Sequence, residues 1–213
     1  MGVAFGMWGS SALFPGECPS CGVDGDNNIC HDCLEHLPVS LVELPVLPQF
    51  VSSSQSMAPY SGPVGDLLRR AKYRPDERVC AQLASLLCSR IDGVNWDLDV
   101  VVGVPQNSWT TLKRGFSPVD CLAKAVGERL NIPVIRPAKR RGGVAIAGVD
   151  KLIRGSVASS QYCPIGGQEI VGRVLLVDDV VTTGSTASAV ASVLLQQGAE
   201  SVHLVTLASP ALA

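Results

Sequence analysis

Val174-Leu175-Leu176-Val177-Asp178-Asp179-Val180-Val181-Thr182-Thr183-Gly184-Ser185-Thr186 is the stretch that decides the fold of this 213-residue chain. It begins with four aliphatic residues, and such a run predicts a strand that is buried on both faces, as in a parallel sheet covered by helices. Two carboxylates follow, and a loop of small and hydroxyl residues leads into a helical pattern over residues 187–197 that Gly198 closes. Strand, acidic pair, loop and helix in this order predict an α/β fold.

Residues 182–186 have the chemistry of an anion-binding loop. Small residues let backbone N–H groups approach an anion closely, hydroxyl groups donate further hydrogen bonds, and a helix N-terminus adds a partial positive charge. Asp178 and Asp179 come at the carboxyl end of the strand, where doubly wound sheets bind ligands, and they would face neighbouring hydroxyls or a hydrated cation. One ligand with a phosphate, a diol and a metal would satisfy these groups. The predicted phosphate-binding residues are Thr182, Thr183, Gly184, Ser185 and Thr186.

This stretch resembles the phosphoribosyl-pyrophosphate (PRPP) signature of the type I phosphoribosyltransferases, and the segments around it resemble the ComF family in particular. The resemblance implies that Asp178 and Asp179 hold the ribose 2- and 3-hydroxyls and that residues 182–186 hold the 5-phosphate. Response regulators and ATPases also place acids after a strand. Two acids at this offset from Thr-Thr-Gly-Ser-Thr are far rarer, and the strand-loop-helix context supports the resemblance.

Composition places few limits on the partners of the chain. The net charge of −2, the pI near 5.9 and the aromatic content of 5% give no global reason to expect nucleic-acid binding, although local basic clusters leave it open. The first 14 residues are apolar, lack Lys and Arg and contain three glycines, which fits neither a secretory signal nor a membrane span. We expect a cytoplasmic protein without membrane association.

Half of the eight cysteines form two CxxC pairs near the start of the chain. Two such pairs predict a tetrahedral structural Zn2+ site with the ligands Cys18, Cys21, Cys30 and Cys33, and metal binding would supply on the order of 10 kcal/mol of folding free energy. A redox dithiol is the alternative, but two successive CxxC pairs argue against it. The same prefix is similar to that of ComF proteins. The remaining cysteines, Cys80, Cys88, Cys121 and Cys163, are expected to be small buried or inert thiols outside disulfides.

A Pro-rich and then Ser-rich segment over residues 37–59 predicts the boundary between two units. We expect a zinc-ribbon-like module over residues 1–45 and a phosphoribosyltransferase-like domain over residues 46–213, with an edge strand within 46–59. The resulting fold class is α/β: a type I phosphoribosyltransferase-like parallel sheet flanked by helices, with a small N-terminal zinc-ribbon module. Hydrophobic periodicity predicts helices over 62–72, 79–91 and 118–130 and strands over 97–104, 132–135 and 201–208.

Further site residues follow from the resemblance. Lys72, within an Ala-Lys-Tyr sequence like one in ComF proteins, is either a ligand contact or an ordinary charged helix end that faces solvent. Residues 102–106, with Val104 and Pro105, correspond to the loop that holds pyrophosphate through backbone N–H groups in related enzymes. Arg114 begins an Arg-Gly-Phe motif and would assist the leaving pyrophosphate. Relatives carry arginines in the middle of this interval, where the present chain has Trp109, Thr110 and Thr111.

Residues 136–155 correspond to a mobile loop that closes over the substrate in related proteins. Arg154 matches an expected arginine, whereas Ile146 and Ser156 replace an expected glutamine and asparagine. The basic run 139–141 would clamp pyrophosphate or would simply be a solvated loop, and the sequence leaves both open. The two replacements are compatible with PRPP binding but argue against efficient turnover.

Two functions are therefore compatible with the sequence. One is Mg2+-dependent transfer of a phosphoribosyl group from PRPP to an unidentified base or nucleophile, with Asp178, Asp179 and Arg114 as the catalytic residues. The other is a non-catalytic PRPP- or nucleotide-binding adaptor of the DNA-uptake (competence) machinery. In the second, the zinc ribbon binds a partner, and a protein is favoured over DNA because residues 1–59 contain no Lys or Arg.

Overall fold

The aliphatic run of the signature is a central strand of an α/β domain, in a computed structural model that describes residues 16–25, 28–73, 77–141, 161–166 and 169–210. The strands are β1 Gly16–Glu17, β2 Asp24–Gly25, β3 Val42–Glu43, β4 Ser53–Pro59, β5 Val100–Gly103, β6 Val134–Ile135, β7 Ala138–Arg140, β8 Tyr162–Pro164, β9 Arg173–Val180 and β10 Ser201–Ser209. The helices are α1 His31–His36, α2 Pro63–Tyr73, α3 Glu77–Ile91, α4 Ser108–Arg114, α5 Pro118–Leu130 and α6 Ser185–Gln196.

Within the described residues, the main sheet has six strands in the order β3-β4-β10-β9-β5-β6. All neighbouring pairs are parallel except β3 and β4, which are antiparallel. The predicted parallel sheet is confirmed. The expectation of an edge strand within 46–59 was wrong, since β4 lies between β3 and β10 and β3 forms the edge. The position of Pro59 at the last residue of β4 explains how a proline is accommodated inside the sheet.

Helices cover both faces of the sheet. Leu175 and Val177 of β9 pack into the core under α2, α3 and α5, whereas Val174 and Leu176 pack into the core under α6. Because successive side chains of a strand point to opposite faces, a strand covered on both sides must be apolar at every position. This explains the uninterrupted aliphatic run.

The connections of β5 and β9 leave the sheet in opposite directions. The chain runs from β5 through α4 and α5 to β6 on one side, and from β9 through α6 to β10 on the other. In open α/β sheets, such a topological switch point forms a crevice beyond the carboxyl ends of the two strands, and ligands bind there. The acidic pair at the end of β9 lies at this crevice.

The cysteine-bearing hairpin β1–β2 and helix α1 pack against α2 and α3. The Gln82 side chain donates to the Ile29 carbonyl at 3.0 Å and accepts from the Ile29 N–H at 2.7 Å, and Arg70 donates to the Pro19 carbonyl at 3.1 Å. Strand β3, from the N-terminal side of the predicted boundary, pairs with β4, and the division into 1–45 and 46–213 stays a prediction. Among the described residues, no helix has the length and apolar character needed to cross a membrane.

Candidate functional site

The acidic pair is buried at the carboxyl end of β9. Asp178 and Asp179 are each only 7% exposed, and the Asp179 backbone N–H donates to Asp178 Oδ1 at 2.9 Å. Burial raises the pKa of the Asp178 carboxyl well above its usual value, and the neighbouring Asp179 charge raises it further. The hydrogen bond from the Asp179 N–H and the charge of Lys72 act in the opposite direction. The site thus holds negative charge at an electrostatic cost.

Lys72, in the last turn of α2, supplies a cation to this pair. Its Nζ lies 2.8 Å from Asp179 Oδ2, and the two side chains are 23% and 10% exposed. The sequence left open whether Lys72 contacts a ligand or caps a solvated helix end, and the structure places it inside the crevice, against the acidic pair. A direct contact with PRPP stays a prediction.

The loop after the acids turns sharply into α6. Gly184 has a φ of 72° and precedes the first helical residue, Ser185. A Cβ on Gly184 would lie 2.8 Å from Pro48 Cγ, so both the left-handed backbone and the close packing of Pro48 require glycine here. Thr183 Oγ1 donates to Ser185 Oγ at 3.1 Å and accepts from the Ser185 N–H at 3.4 Å. This geometry places the predicted phosphate-binding hydroxyls around a helix N-terminus.

The loop after β5 lies beside the acidic pair. Gly103 is in register with Val177, and the Val104 N–H donates to the Val177 carbonyl at 2.9 Å. The Val104 N–H is therefore used by the sheet, and Pro105 has no N–H, so neither residue offers a pyrophosphate its own backbone donor. The next backbone N–H groups along the loop belong to Gln106 and Asn107. A ligand contact of Val104 or Pro105 remains a prediction. The part that these two residues would take in it is to shape the turn.

Helix α4 follows this loop and ends at Arg114. The Asn107 side chain caps it by accepting from the Trp109 N–H at 2.9 Å, and Gly115 terminates it with a φ of 86°. The Trp109 side chain, in the interval where arginines were expected, is 63% exposed. The Arg114 side chain lies outside the part of the chain that the structure describes, so its catalytic role stays a prediction.

The hairpin of β7 and β8 contributes a residue that the sequence did not indicate. Tyr162 is 5% exposed, its hydroxyl is hydrogen-bonded to the Thr186 side chain, and burial and the nearby Asp178 charge raise its pKa. The basic run 139–141 extends along this hairpin, where Arg140 Nη2 donates to Gln161 Oε1 at 3.3 Å. Tyr162 lies in a strand of only three residues, which is too short for a hydrophobic period to reveal it. The three lid positions Ile146, Arg154 and Ser156 lie outside the described residues.

The four N-terminal cysteines come together as a candidate metal centre. The Sγ atoms of Cys18, Cys21, Cys30 and Cys33 all lie within 4.8 Å of one another, and those of Cys21 and Cys30 are 3.8 Å apart. Zn–S bonds of about 2.3 Å in a tetrahedron require S···S separations of about 3.8 Å, so the cluster fits Zn2+.

Backbone groups support the Cys18 thiolate within this centre. The N–H groups of Ser20 and Cys30 donate to Cys18 Sγ at 3.4 and 3.3 Å. Burial raises the pKa of the Cys18 thiol, but these hydrogen bonds, together with those from the backbone and side chain of Cys21, outweigh it and leave the pKa at about 6. The His31 side chain, between the two cysteines of the second CxxC pair, is 80% exposed and lies 3.6 Å from Glu35, so it faces solvent.

Comparison with protein-family models matches residues 72–211 to the family described as phosphoribosyl transferase domain. The chain is 25% identical to the DNA utilization protein YhgH of Escherichia coli (strain K12), over 96% of this chain and 92% of that protein. It is 26% identical to the competence protein ComFC of Bacillus subtilis (strain 168), over 89% of this chain and 76% of the relative. A solved glutamine PRPP amidotransferase from B. subtilis aligns over 61% of this chain with 22% identity and a TM-score of 0.43, and the alignment spans 26% of that enzyme's chain.

Proposed function

Because the chain belongs to the phosphoribosyl transferase domain family, we propose that it binds PRPP with Mg2+ in the crevice between the ends of β5 and β9 and transfers the phosphoribosyl group to a nitrogenous base or related nucleophile. The observation that carries this proposal is the position of the buried acidic pair at the switch point of the sheet. The pair lies next to the N-terminus of α6, where Gly184 makes the turn into the helix. Few ligands need a diol site and a phosphate site one loop apart.

Each part of PRPP has a matching group in the crevice. The 5-phosphate would lie in the loop of residues 182–186, and the ribose hydroxyls would donate to Asp178 and Asp179. The pyrophosphate would lie toward the loop that follows β5, with Arg114 and Lys72 as its cationic partners. These contacts are proposals built on the placement of the residues around one edge of the sheet.

The chain's contribution to the reaction would be electrostatic. As the bond between ribose C1 and pyrophosphate breaks, positive charge develops on the sugar, and the carboxylates of Asp178 and Asp179 stabilise it. Their burial strengthens this interaction because little water screens it. Lys72 favours the ionised form of Asp178, which is the form that the role requires. Mg2+, when bound through the pyrophosphate, would neutralise the leaving group.

The N-terminal module would have a separate task. We propose that residues 1–45 hold a structural Zn2+ through the four clustered cysteines and contact a protein partner, while residues 46–213 bind PRPP. The thiol separations support zinc, and the absence of Lys and Arg from residues 1–59 supports a protein rather than a nucleic acid.

An adaptor without turnover is the second candidate. Two curated relatives are named for DNA utilization and competence, and an exposed Trp109 stands where related enzymes carry positive charge for pyrophosphate. In this case the crevice would bind PRPP or a nucleotide as a signal in DNA uptake, and the zinc module would pass that signal to its partner.

Calorimetric titration of PRPP in the presence of MgCl2 tests both candidates, and a panel of purine and pyrimidine bases assayed for pyrophosphate release separates them. The expected result is PRPP binding that is lost in Asp179→Asn. Asp97→Asn is a matched control, because Asp97 is 85% exposed, pairs with Arg173 and lies near the opposite end of the strands. Pyrophosphate release establishes the transferase, and binding without release favours the adaptor. If the unmodified protein does not bind PRPP, both candidates are wrong.

A further inference from the structure

A cavity lies between the first turns of α3 and α5, near strand β6. Its volume is about 640 Å³, and its walls include Glu77, Ala81, Phe116, Cys121 and Lys124. Apart from Gly103, which precedes the loop after β5 and also lines this cavity, its residues take no part in the proposed PRPP chemistry. A thiol in the wall of a cavity of this size is accessible to small molecules.

Cys121 is one of two thiols that meet across the packed helices α3 and α5. Cys80 of α3 is fully buried, and its Sγ lies 3.8 Å from the Pro118 carbonyl oxygen. Cys121 lies one helical turn after Pro118, and its thiol is hydrogen-bonded to that of Cys80. The partly exposed Cys121 thus lines the cavity, and the buried Cys80 thiol lies next to it.

The surroundings of Cys121 favour its thiolate. The hydrogen bond from Cys80 and the charge of Lys124 outweigh the effects of burial and of Glu77, and they lower the pKa of Cys121 to about 7. Cys121 is also close to the N-terminus of α5, where the helix dipole favours an anion. By contrast, burial raises the pKa of Cys88, which is 8% exposed on α3. The sequence indicated inert thiols at all these positions, and only the packing of α3 on α5 distinguishes them.

We propose that Cys80 and Cys121 form a peroxide-reactive dithiol, in which a small hydroperoxide enters the cavity and oxidises the pair to a disulfide. The Cys121 thiolate attacks the terminal peroxide oxygen, the O–O bond breaks, and the departing alkoxide or hydroxide takes up a proton. The product is a sulfenic acid on Cys121. The Cys80 sulfur then attacks the Cys121 sulfur, the S–S bond forms, and the sulfenic OH leaves as water with the proton from Cys80. In total, two thiols are oxidised to a disulfide while ROOH is reduced to ROH and water.

Peptide mapping of the full chain tests this proposal. The reduced protein, freed of reductant, is treated with one equivalent of hydrogen peroxide or tert-butyl hydroperoxide, alkylated and digested without reduction. We expect a Cys80–Cys121 disulfide as the main product. Without oxidant, iodoacetamide near pH 7 is expected to label Cys121 roughly 10-fold faster than Cys88, because far more of it is thiolate.

Two variants separate the two steps. In Cys80→Ser, dimedone should trap a sulfenic acid on Cys121, since the resolving thiol is missing. In Cys121→Ser, Cys80 should remain reduced at the same dose. The proposal is overturned if peroxide oxidises Cys88 as fast as Cys121, or if Cys121 in the unmodified protein ends as sulfinic acid or pairs with a cysteine of the N-terminal cluster. The disulfide map of the unmodified protein decides the question even if Cys80→Ser does not fold.

Discussion

Replacing Lys72 by Met removes the cation from the acidic pair and keeps most of the volume of the side chain. In the native protein, Lys72 Nζ lies 2.8 Å from Asp179 Oδ2, and Asp178 and Asp179 are each 7% exposed. In Lys72→Met, two adjacent buried carboxylates would remain without this partner. We therefore expect the substitution to lower the free energy of unfolding at neutral pH.

The size of the effect follows from the burial of the pair. Removing one partner of a fully buried ion pair costs about 3–5 kcal/mol, whereas an exposed pair contributes about 0–1 kcal/mol. Since the Lys72 side chain is 23% exposed and that of Asp179 is 10% exposed, we expect a loss of about 2–3 kcal/mol. For a chain of this length, each kcal/mol lowers the melting temperature by roughly 2–4 °C, so the expected decrease is about 4–12 °C.

The pH dependence identifies the cause. The folded-state pKa of Asp178 is already raised by burial and by Asp179, and Lys72 lowers it. A carboxyl with a raised folded-state pKa contributes stability that is fully present below its unfolded pKa and is lost as the pH rises through its folded-state pKa. Lys72→Met raises that folded-state pKa further, so its stability deficit should be largest when Asp178 is ionised and should shrink as acid protonates Asp178.

Thermal melts of both proteins at about pH 8 and about pH 5 measure this deficit. Lys124→Met is the matched control, because Lys124 and Glu128 form an ion pair at 3.8 Å with side chains that are 77% and 69% exposed, and we expect it to change the melting temperature little at either pH. The reasoning is refuted if Lys72→Met melts like Lys124→Met at the higher pH, or if its deficit is the same at both pH values.

Three other substitutions test the rest of the site. Asp178→Asn should stabilise the ligand-free protein by about 0.5–2 kcal/mol near pH 8, because it removes a charge that burial disfavours, and it should abolish PRPP binding in calorimetry; a lower melting temperature would contradict this. Gly184→Ala should cost about 1–2 kcal/mol in thermal unfolding from its left-handed backbone alone, and the contact with Pro48 adds to the cost; an unchanged melting curve would contradict this. Cys21→Ser should remove zinc, measured by elemental analysis, and most of the roughly 10 kcal/mol that the metal supplies to the hairpin; retained zinc would exclude the four-thiolate site.

The sequence predicted the elements whose signals are local. The aliphatic run became β9 and the periodic pattern over 118–130 became α5, because strand and helix periods are properties of neighbouring residues. The strand predicted over 97–104 is shorter, since β5 begins only at Val100. Just before β5, the Asp99 backbone N–H donates to the Arg173 carbonyl at 2.9 Å, and the Asp99 carboxylate accepts from the Arg173 backbone N–H at 2.7 Å and side chain at 3.0 Å. That partner is distant in the sequence, and no local pattern could indicate it.

Other features of the site depend on distant pairings in the same way. Lys139 and Arg140 were placed in a loop, but they belong to β7, whose partner β8 lies beyond residue 160. Lys72 reaches Asp179 only because α2 packs on the face of the sheet to which Asp179 points. Tyr162 reaches Thr186 only because the β7–β8 hairpin lies against α6. The sequence therefore indicated the class of ligand through the signature, whereas the side chains that surround the signature required the tertiary structure.

The two acids occupy adjacent positions in β9 and not alternate ones, and this arrangement determines how a ligand must lie. Successive strand residues point to opposite faces of a sheet, so Asp179 faces α2 and its Lys72, whereas Asp178 faces the hairpin that carries Tyr162. A sugar that contacts both carboxylates must therefore lie across the edge of the sheet. It would be held from one face by a cation and approached from the other by a phenol. In this proposal, one ligand would contact side chains from both faces of the sheet, and a substitution on either face should alter its binding.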